Sequence, residues 1–224
     1  MRKAELVIIA LIIASVLIGW HYYPQLPERI DSHWNSAGEA DGTMSRFWGV
    51  ALFPLIGVGI AVLFVVLPRI DPLRRNVERF RGYFDGFMVL MMLYLMYIYV
   101  LTLLWNTGSR FDMGQYMLPA LGVLFFYIGV MLSKSKRNWF IGIRTPWTMS
   151  SDGVWDQTHA RAGVLFKAMG VVAVLATFLP SSFALWATLG VIFAGISYIV
   201  LYSYLLYRRE QGKHKERRTA AGNR

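Results

Sequence analysis

Six long apolar stretches alternate with shorter polar segments along the 224 residues of this chain. They occupy about 4–23, 47–67, 84–105, 113–132, 163–180 and 184–206. A helix needs about 20 apolar residues to cross the roughly 30 Å hydrocarbon core of a bilayer. The pattern therefore predicts an all-α integral membrane protein with six transmembrane helices. The first stretch continues into GWHYYPQLP without the small residues of a cleavage site, so we expect it to be retained as a span.

Lys and Arg are distributed unevenly between the connections of the predicted spans. If the N-terminus lies inside the cell, nineteen of these residues fall in inner segments and three in outer segments, with Lys167 near the inner end of span five. Positive residues collect on the cytoplasmic side of membrane helices. We therefore predict a multi-pass protein of the plasma membrane with both termini cytoplasmic (N-in/C-in). This orientation accounts for the net charge of +10 without direct nucleic-acid binding.

Composition narrows the functional classes further. Only 16% of the residues are charged, against about 25% in soluble domains. The ionisable residues His21, Asp85 and Lys167 lie near the ends of spans, which disfavours an ion pump or ion-coupled transporter, since such proteins place ionisable groups deep in the bilayer. The sequence has no cysteine and no G-x-S-x-G, P-loop or dinucleotide fingerprint. We expect no enzymatic activity and no cofactor.

Residues 24–46 form the only sizeable outer connection. PERIDSHW predicts a short interfacial helix that starts at Pro27, and NSAGEADG then predicts a turn. His33 and carboxylates such as Asp41 are suitable ligands for Zn²⁺ or Mn²⁺. Because there is one His and no recognised ligand spacing such as HExxH, we expect no metal. A structural turn is the favoured interpretation, and recognition of an external peptide or other ligand and metal binding are the alternatives.

The fourth connection, residues 133–162, is predicted to lie inside, and it is polar, aromatic and charged. Gly142 between two Ile residues indicates a bend or a close backbone approach, and Thr145 before Pro146 is restricted to an extended or turn conformation. Arg144 lies in an apolar setting, so we expect it to bind a carboxylate, a carbonyl or a phosphate.

A helix along the inner face of the membrane is predicted next, before span five begins at residue 163. Three residues are candidates for its N-cap: Ser150, Ser151 and Asp152. Trp155 and His159 would share a face, and Asp156 lies close enough to pair with His159. Structural anchoring is the favoured interpretation of this connection. Docking of a cytoplasmic protein and catalysis or transport are the alternatives, although adjacent Ser, Asp and His residues do not by themselves make a triad.

Two stretches resemble known families. The first, YYPQLPERIDSHWNSAGEADGTMSRFWGVALFPL, is similar to the domain of unknown function 1648 (DUF1648), which carries its pattern between its first two spans. The matching positions are Leu26, Pro27, Ile30, His33, Trp34, Asn35, Gly38 and Asp41. Five of them are our candidates for ligand recognition: Pro27, His33, Asn35, Gly38 and Asp41.

The second stretch, RNWFIGIRTPWTMSSDGVWDQTHARAG, is similar to the signature of the SdpI family of bacterial membrane immunity proteins. The matching positions are Asn138, Gly142, Arg144, Thr145, Pro146, Trp147, Thr148, Trp155, Thr158, His159 and Gly163. Eight of them are our candidates for a structural or partner-docking role: Asn138, Gly142, Arg144, Thr145, Pro146, Trp147, Trp155 and His159.

The two resemblances occur in the family's order and imply a function. A family member of this kind protects its cell from a secreted peptide toxin that attacks the membrane, and with toxin present it holds a transcriptional repressor at the membrane. The resemblance implies an immunity and signal-transduction protein whose partners are the lipid bilayer, a toxin outside and a repressor inside. A transporter or enzyme of unknown substrate, and a scaffold that binds lipid or protein, are the alternatives.

The chain is expected to divide into four parts. Residues 1–83 hold the first two spans with the DUF1648-like loop, and residues 84–132 hold spans three and four. Residues 133–207 hold the SdpI-like connection with spans five and six, and residues 208–224 form a basic cytoplasmic tail. We expect the Lys and Arg residues of this tail to contact anionic headgroups.

Overall fold

A computed structural model describes residues 1–222, with side chains as far as residue 213. The helices are α1 (Lys3–Tyr22), α2 (Arg46–Ile70), α3 (Arg74–Arg79), α4 (Arg81–Asn106), α5 (Met113–Leu132), α6 (Pro146–Ser150), α7 (Asp152–Ala176) and α8 (Ser181–Gly222). The strands are β1 (Arg29–Trp34) and β2 (Ala40–Ser45), preceded by a 3₁₀ turn at Tyr23–Gln25. Within the described residues, six helices are long and apolar enough to cross a membrane. The chain is thus a multi-pass membrane protein, as the six apolar stretches predicted.

The connections between the six long helices collect at two opposite ends of the bundle. The hairpin end consists of residues 23–46, 107–112 and 177–180. The loop end consists of residues 71–80 and 133–151, and it also holds the N-terminus, because Arg2 contacts Asp85 at the start of α4. Between the two ends, the helices expose large apolar side chains such as Leu17 and Phe193, as a surface in contact with lipid does.

The long helices form two groups that meet where α4 packs on α5. The first group consists of α1, α2 and α4 together with the two strands. Its core includes the buried residues Ile8, Ile30, Phe53, Phe64, Met92 and Leu103. The second group consists of α5, α7 and α8, with one small cluster around Leu118 and Ala184 and another around Leu132 and Ile199.

The ionisable residue Asp85 is paired at the loop end of α4. One carboxylate oxygen lies 2.7 Å from Nε of Arg81, and the other lies 2.6 Å from Nε of Arg2. The guanidinium group of Arg81 also lies over the rings of Phe64 and Phe84. Paired and stacked in this way, the charges join the start of α1 to α2 and α4.

The closest helix packing joins α5 to α7 through two pairs of glycines. A Cβ atom added to Gly122 would lie 2.6 Å from the carbonyl oxygen of Gly170. One added to Gly129 would lie 2.6 Å from the carbonyl oxygen of Gly163. The two glycines of each helix are seven residues apart and so share one face. Small residues allow membrane helices to approach to backbone contact, and here they fix α5 against α7 along two turns.

The predicted interfacial helix in the outer connection is wrong, and the fold is therefore not all-α. Residues 29–45 form an antiparallel hairpin in which Ile30 pairs with Met44 and Asp31 with Thr43. The reason lies in the turn. The side-chain oxygen of Asn35 accepts hydrogen bonds from the backbone N–H groups of Ala37 and Glu39, and this side-chain bonding folds the chain back on itself.

The inner-face helix also differs from expectation. Ser151 caps α7 by accepting a hydrogen bond from the N–H of Val154, as one of the three predicted caps. However, α7 continues without a break through Gly163, where a separate span was expected to begin, since no Pro interrupts residues 152–176. The short helix α6 precedes it. In α8, the helix passes residue 207 and runs to Gly222, and the side chains of the predicted basic tail beyond residue 213 lie outside the described part.

Candidate functional site

The loop end is organised around the side chain of Asn138, which is fully buried. Its oxygen accepts hydrogen bonds from the N–H groups of Phe140 and Ile141, at 3.0 and 2.6 Å. Its amide nitrogen donates to the carbonyl oxygens of Lys136 and Ile141, each at 2.8 Å. These four bonds use the full hydrogen-bonding capacity of an Asn side chain. Asn138 therefore holds the tight turn that begins the signature segment.

Gly142 and His159 form a second buried contact. Nε2 of His159 accepts a hydrogen bond from the N–H of Ile143 at 3.0 Å, and Nδ1 lies 2.9 Å from the carbonyl oxygen of Trp155. Because Nε2 accepts, Nδ1 carries the proton and the ring is neutral. The His159 ring stacks on Trp155 with centroids 3.9 Å apart. Gly142, at φ +114°, passes so close to this ring that an added Cβ would lie 2.6 Å from Nε2.

The sequence Thr145-Pro146-Trp147-Thr148 forms the capped start of α6. The hydroxyl of Thr145 accepts a hydrogen bond from the N–H of Thr148, and the hydroxyl of Thr148 accepts one from the N–H of Thr145. Pro146 takes the first helical position, where its missing N–H costs nothing. The indole N–H of Trp147 donates to the hydroxyl of Ser203. This short helix thereby fixes the loop end to α8.

Two arginines of the signature segment bind backbone carbonyls. Arg144 is exposed, and its guanidinium donates to the carbonyl oxygen of Trp139, a partner of the kind expected for it. Arg137 donates to the carbonyl oxygen of Met149 at 2.9 Å and lies 2.8 Å from a carboxylate oxygen of Asp152. Both contacts join residues from different parts of the fourth connection, and the Arg144 side chain remains exposed.

Sequence reasoning missed the residues that join the signature segment to the second inner connection. The carboxylate of Asp71, which is 3% exposed, accepts hydrogen bonds from the N–H groups of Leu73 and Trp139, at 2.6 and 2.9 Å. Asn76 donates to the carbonyl oxygen of Arg137 at 2.8 Å. The only sequence signal was one acidic residue beside a run of arginines, and such a pattern does not identify a partner 68 positions away.

The Ser, Asp and His residues of this segment do not converge on a common point. Ser151 caps α7 and also donates to a carboxylate oxygen of Glu210 at 2.9 Å. The predicted pair of Asp156 with His159 is not formed, since Asp156 lies 3.2 Å from the ammonium group of Lys136 and His159 bonds to the backbone. The eight signature candidates thus meet in one compact structural unit.

At the opposite end, the hairpin is bound to α4 by Asn106 and Trp105. The side-chain oxygen of Asn106 accepts from the N–H of Asp31 at 2.7 Å, and its amide donates to the carbonyl oxygen of Asp31 at 2.9 Å. The indole N–H of Trp105 donates to the Asp31 carboxylate at 3.1 Å. Trp34 packs edge-on against Trp105. Asn106 completes the hairpin as a neighbouring strand would, by pairing both backbone groups of one residue.

Three of the five hairpin candidates, His33, Asn35 and Gly38, line one cavity beneath the hairpin, whereas Pro27 and Asp41 do not. His33 and Asp41 pair at 2.5 Å on the exposed face of the strands, and Pro27 is exposed beside the 3₁₀ turn. Asn35 and Gly38, the latter at φ +80°, shape the turn. Among the described residues, no group of three or more His, Cys, Asp or Glu side chains is arranged to hold a metal ion.

A cavity of about 340 Å³ lies between the hairpin and the ends of α4, α5 and α8. Polar residues line it near the strands, among them Asn35, Asp112 and Ser181. Apolar residues line it further along the helices, among them Met117 and Leu121. Asp112 caps α5 by accepting from the N–H of Gln115 and also accepts a hydrogen bond from the hydroxyl of Ser181. Sequence reasoning did not find this cavity, because its walls come from separate parts of the chain.

Two segments of the chain match known protein families. Residues 134–205 match the SdpI/YfhL protein family, and residues 10–58 match a domain of unknown function, DUF1648. Over 211 residues the chain is 23% identical to a protein of Bacillus subtilis (strain 168) named immunity protein SdpI. The aligned region covers 94% of this chain and 99% of that protein. No solved structure matches the chain significantly.

Proposed function

Because this chain carries an SdpI/YfhL family domain behind a DUF1648 domain, we propose that it is a membrane immunity protein that protects its cell against a membrane-active peptide. The observation that carries the proposal is the similarity to an immunity protein along 94% of this chain and 99% of that protein. The similarity therefore includes both the hairpin and the signature segment, along with the helices between them.

In the proposed orientation the hairpin end faces outside and the loop end faces the cytoplasm. The distribution of charge supports this orientation, since Lys and Arg collect at cytoplasmic ends. Four exposed arginines lie on or beside the second connection of the loop end: Arg69, Arg74, Arg75 and Arg79. The hairpin end, in contrast, carries exposed carboxylates such as Glu28 and Glu39. A peptide that arrives from outside would meet the hairpin first.

The signature segment then serves as the structural base of the protein. Asn138, Trp155 and His159 are at most 1% exposed, and their polar groups bond to backbone within the same end of the bundle. Side chains buried in this way are not free to contact a partner or a substrate. We assign them to holding the fourth connection against the start of α7, and this supports a non-catalytic role.

Recruitment of a repressor is a second candidate function, favoured by one feature of the loop end. Trp139 is 52% exposed, and the exposed Arg144 lies beside it. Exposed Trp and Arg residues are the commonest energetic centres of protein interfaces. If a repressor is encoded beside this protein, a fluorescent fusion of that repressor should move to the membrane in the presence of peptide. It should remain in the cytoplasm with a Trp139→Ala, Arg144→Ala double variant that still reaches the membrane.

The immunity proposal is tested by survival of a sensitive bacterial host. Cells expressing the protein are challenged with a panel of membrane-active peptides, beside cells that carry the empty vector. We expect the protein to raise the lethal concentration of at least one peptide, and His33→Ala to weaken this protection while membrane insertion is unchanged. A protein that reaches the membrane and shifts survival with no peptide in the panel would contradict the proposal.

A further inference from the structure

The cavity beneath the hairpin has a polar mouth and an apolar interior. Along α5 it extends from Asp112 to Leu121, and nine residues at 1.5 Å each give a depth of about 13 Å. Met117 and Leu185 face it from α5 and α8. A cavity with this order of walls fits a molecule with a polar head and an apolar chain, not a fully polar solute.

The charge at the mouth is negative and has no cationic partner. The Asp112 carboxylate accepts hydrogen bonds from the N–H of Gln115 and the hydroxyl of Ser181, and both donors are neutral. Among residues 1–213 Asp112 forms no ion pair, and no Lys or Arg lines the cavity. The basic residue that does line it, His33, pairs with Asp41 and not with Asp112. A carboxylate in a partly apolar cavity is stabilised by a cation that binds beside it.

The indole N–H of Trp34 is another polar group at the cavity. Nε1 of Trp34, a residue that lines the cavity, is buried and has no hydrogen-bond partner. A buried N–H without an acceptor costs about 1–3 kcal/mol, so a ligand that supplies an acceptor here would be stabilised. An acceptor such as a peptide carbonyl, bound at the mouth next to the hairpin, would satisfy it.

We infer that this cavity binds a cationic amphiphile, namely the part of a membrane-active peptide in which apolar side chains adjoin a Lys, an Arg or a free amino group. The apolar side chains would occupy the space beside Met117 and Leu185, and the cation would pair with Asp112. A phospholipid fits less well, because its phosphate would lie close to an uncompensated carboxylate. The inference rests on the proposed function, since it identifies where the peptide meets the protein.

Binding is measured with the full-length protein in phosphatidylcholine nanodiscs. The probe is a dansylated hexapeptide of leucines and lysines, and its neutral counterpart carries glutamine in place of lysine. Energy transfer from tryptophan to dansyl reports binding, since Trp34 lines the cavity and Trp105 packs against it with ring centroids 5.7 Å apart. Empty nanodiscs give the contribution of partition into lipid.

The decisive variant is Asp112→Asn, which keeps the size of the side chain and an oxygen that can cap α5. We expect it to weaken binding of the cationic probe at least tenfold and to change binding of the neutral probe less than twofold. The matched control is Glu28→Gln, which removes the same charge from an exposed residue of the hairpin end outside the cavity lining. It should leave both affinities within twofold. Met117→Phe, which narrows the apolar part of the cavity, should weaken both probes.

Three results would overturn the inference. Equal losses in Asp112→Asn and Glu28→Gln would mean that the probe senses only surface charge. Equal affinity of the two probes for the unaltered protein would mean that the carboxylate does not select a cation. Phosphatidylglycerol added to the nanodiscs could displace the cationic probe from the unaltered protein but not from Met117→Phe. That result would mean that the cavity is a lipid site.

The outcome is separable from that of the proposed function. If cells are not protected but the cationic probe binds as expected, the cavity assignment stands and immunity fails. If cells are protected and Asp112→Asn neither weakens probe binding nor reduces survival, immunity stands and the cavity assignment fails.

Discussion

Substitution of Gly142 by Ala should disrupt the loop end more than its backbone conformation alone explains. Gly142 lies at φ +114°, where a residue with a Cβ atom is strained by about 1–3 kcal/mol. The added Cβ would also lie 2.6 Å from Nε2 of His159, whose ring is 1% exposed and stacked on Trp155. Displacing the ring breaks its hydrogen bond with the N–H of Ile143, and a buried group left unpaired costs about 1–3 kcal/mol.

The matched control is Gly108→Ala at the hairpin end. Gly108 lies at φ +109°, and a Cβ atom there would meet nothing within 4 Å. The control therefore carries the same backbone strain without the collision. In thermal unfolding of the purified protein in detergent micelles, followed by tryptophan fluorescence, Gly142→Ala should melt lower than Gly108→Ala. The expected gap is at least about 2 °C, since 1 kcal/mol shifts the Tm of a protein of this size by about 2–4 °C. Equal melting temperatures would refute the assignment of His159 as a fixed part of the loop end.

Three further substitutions test other contacts. Asn138→Ala leaves the buried N–H of Ile141 without its acceptor and should lower the free energy of unfolding by about 1–3 kcal/mol in the same assay; an unchanged Tm would contradict the role of this turn. Asn106→Leu should speed hydrogen exchange at the amide of Asp31 by about fivefold, for a bond worth about 1 kcal/mol. Unchanged exchange, measured by mass spectrometry of the hairpin peptide, would mean that Asn106 does not hold the strands. Gly129→Leu should aggregate, as seen by size-exclusion chromatography, because the α5–α7 contact cannot form. Its control, Gly59→Leu, has open space around the added side chain and should stay monodisperse. Identical elution profiles of the two variants would argue against the glycine contact.

The six spans were predictable because each needs only length and apolar composition, which are local properties of the sequence. The hairpin was not predicted, because PERIDSHW contains residues compatible with either structure. The choice was made by the Asn35 turn and by pairing of Asp31 with Asn106, a residue 75 positions away. Likewise, the packing of α7 on α5 through Gly163 and Gly129 joins two separate helices. Contacts of this kind leave no periodic signal near either residue.

Much of the signature segment could be anticipated residue by residue, though not its assembly. Gly142 was expected to bend or to approach backbone closely, and its positive φ and contact with His159 agree with that expectation. The shared face of Trp155 and His159 followed from their spacing, and their rings stack. Asp71 was not identified, since its partner comes from the other inner connection. The cavity beneath the hairpin was also not identified, because three helices and a hairpin build it together.

The central claim is that the hairpin end faces outside, where a peptide arrives, and the signature loop end faces the cytoplasm. The chain has no cysteine, so single cysteines at two exposed positions report orientation without background: Ala37→Cys in the hairpin turn and Lys134→Cys at the loop end. Intact cells are treated with a membrane-impermeant maleimide. The account predicts labelling of Ala37→Cys in intact cells, and of Lys134→Cys only after the membrane is permeabilised. The reverse pattern would contradict it.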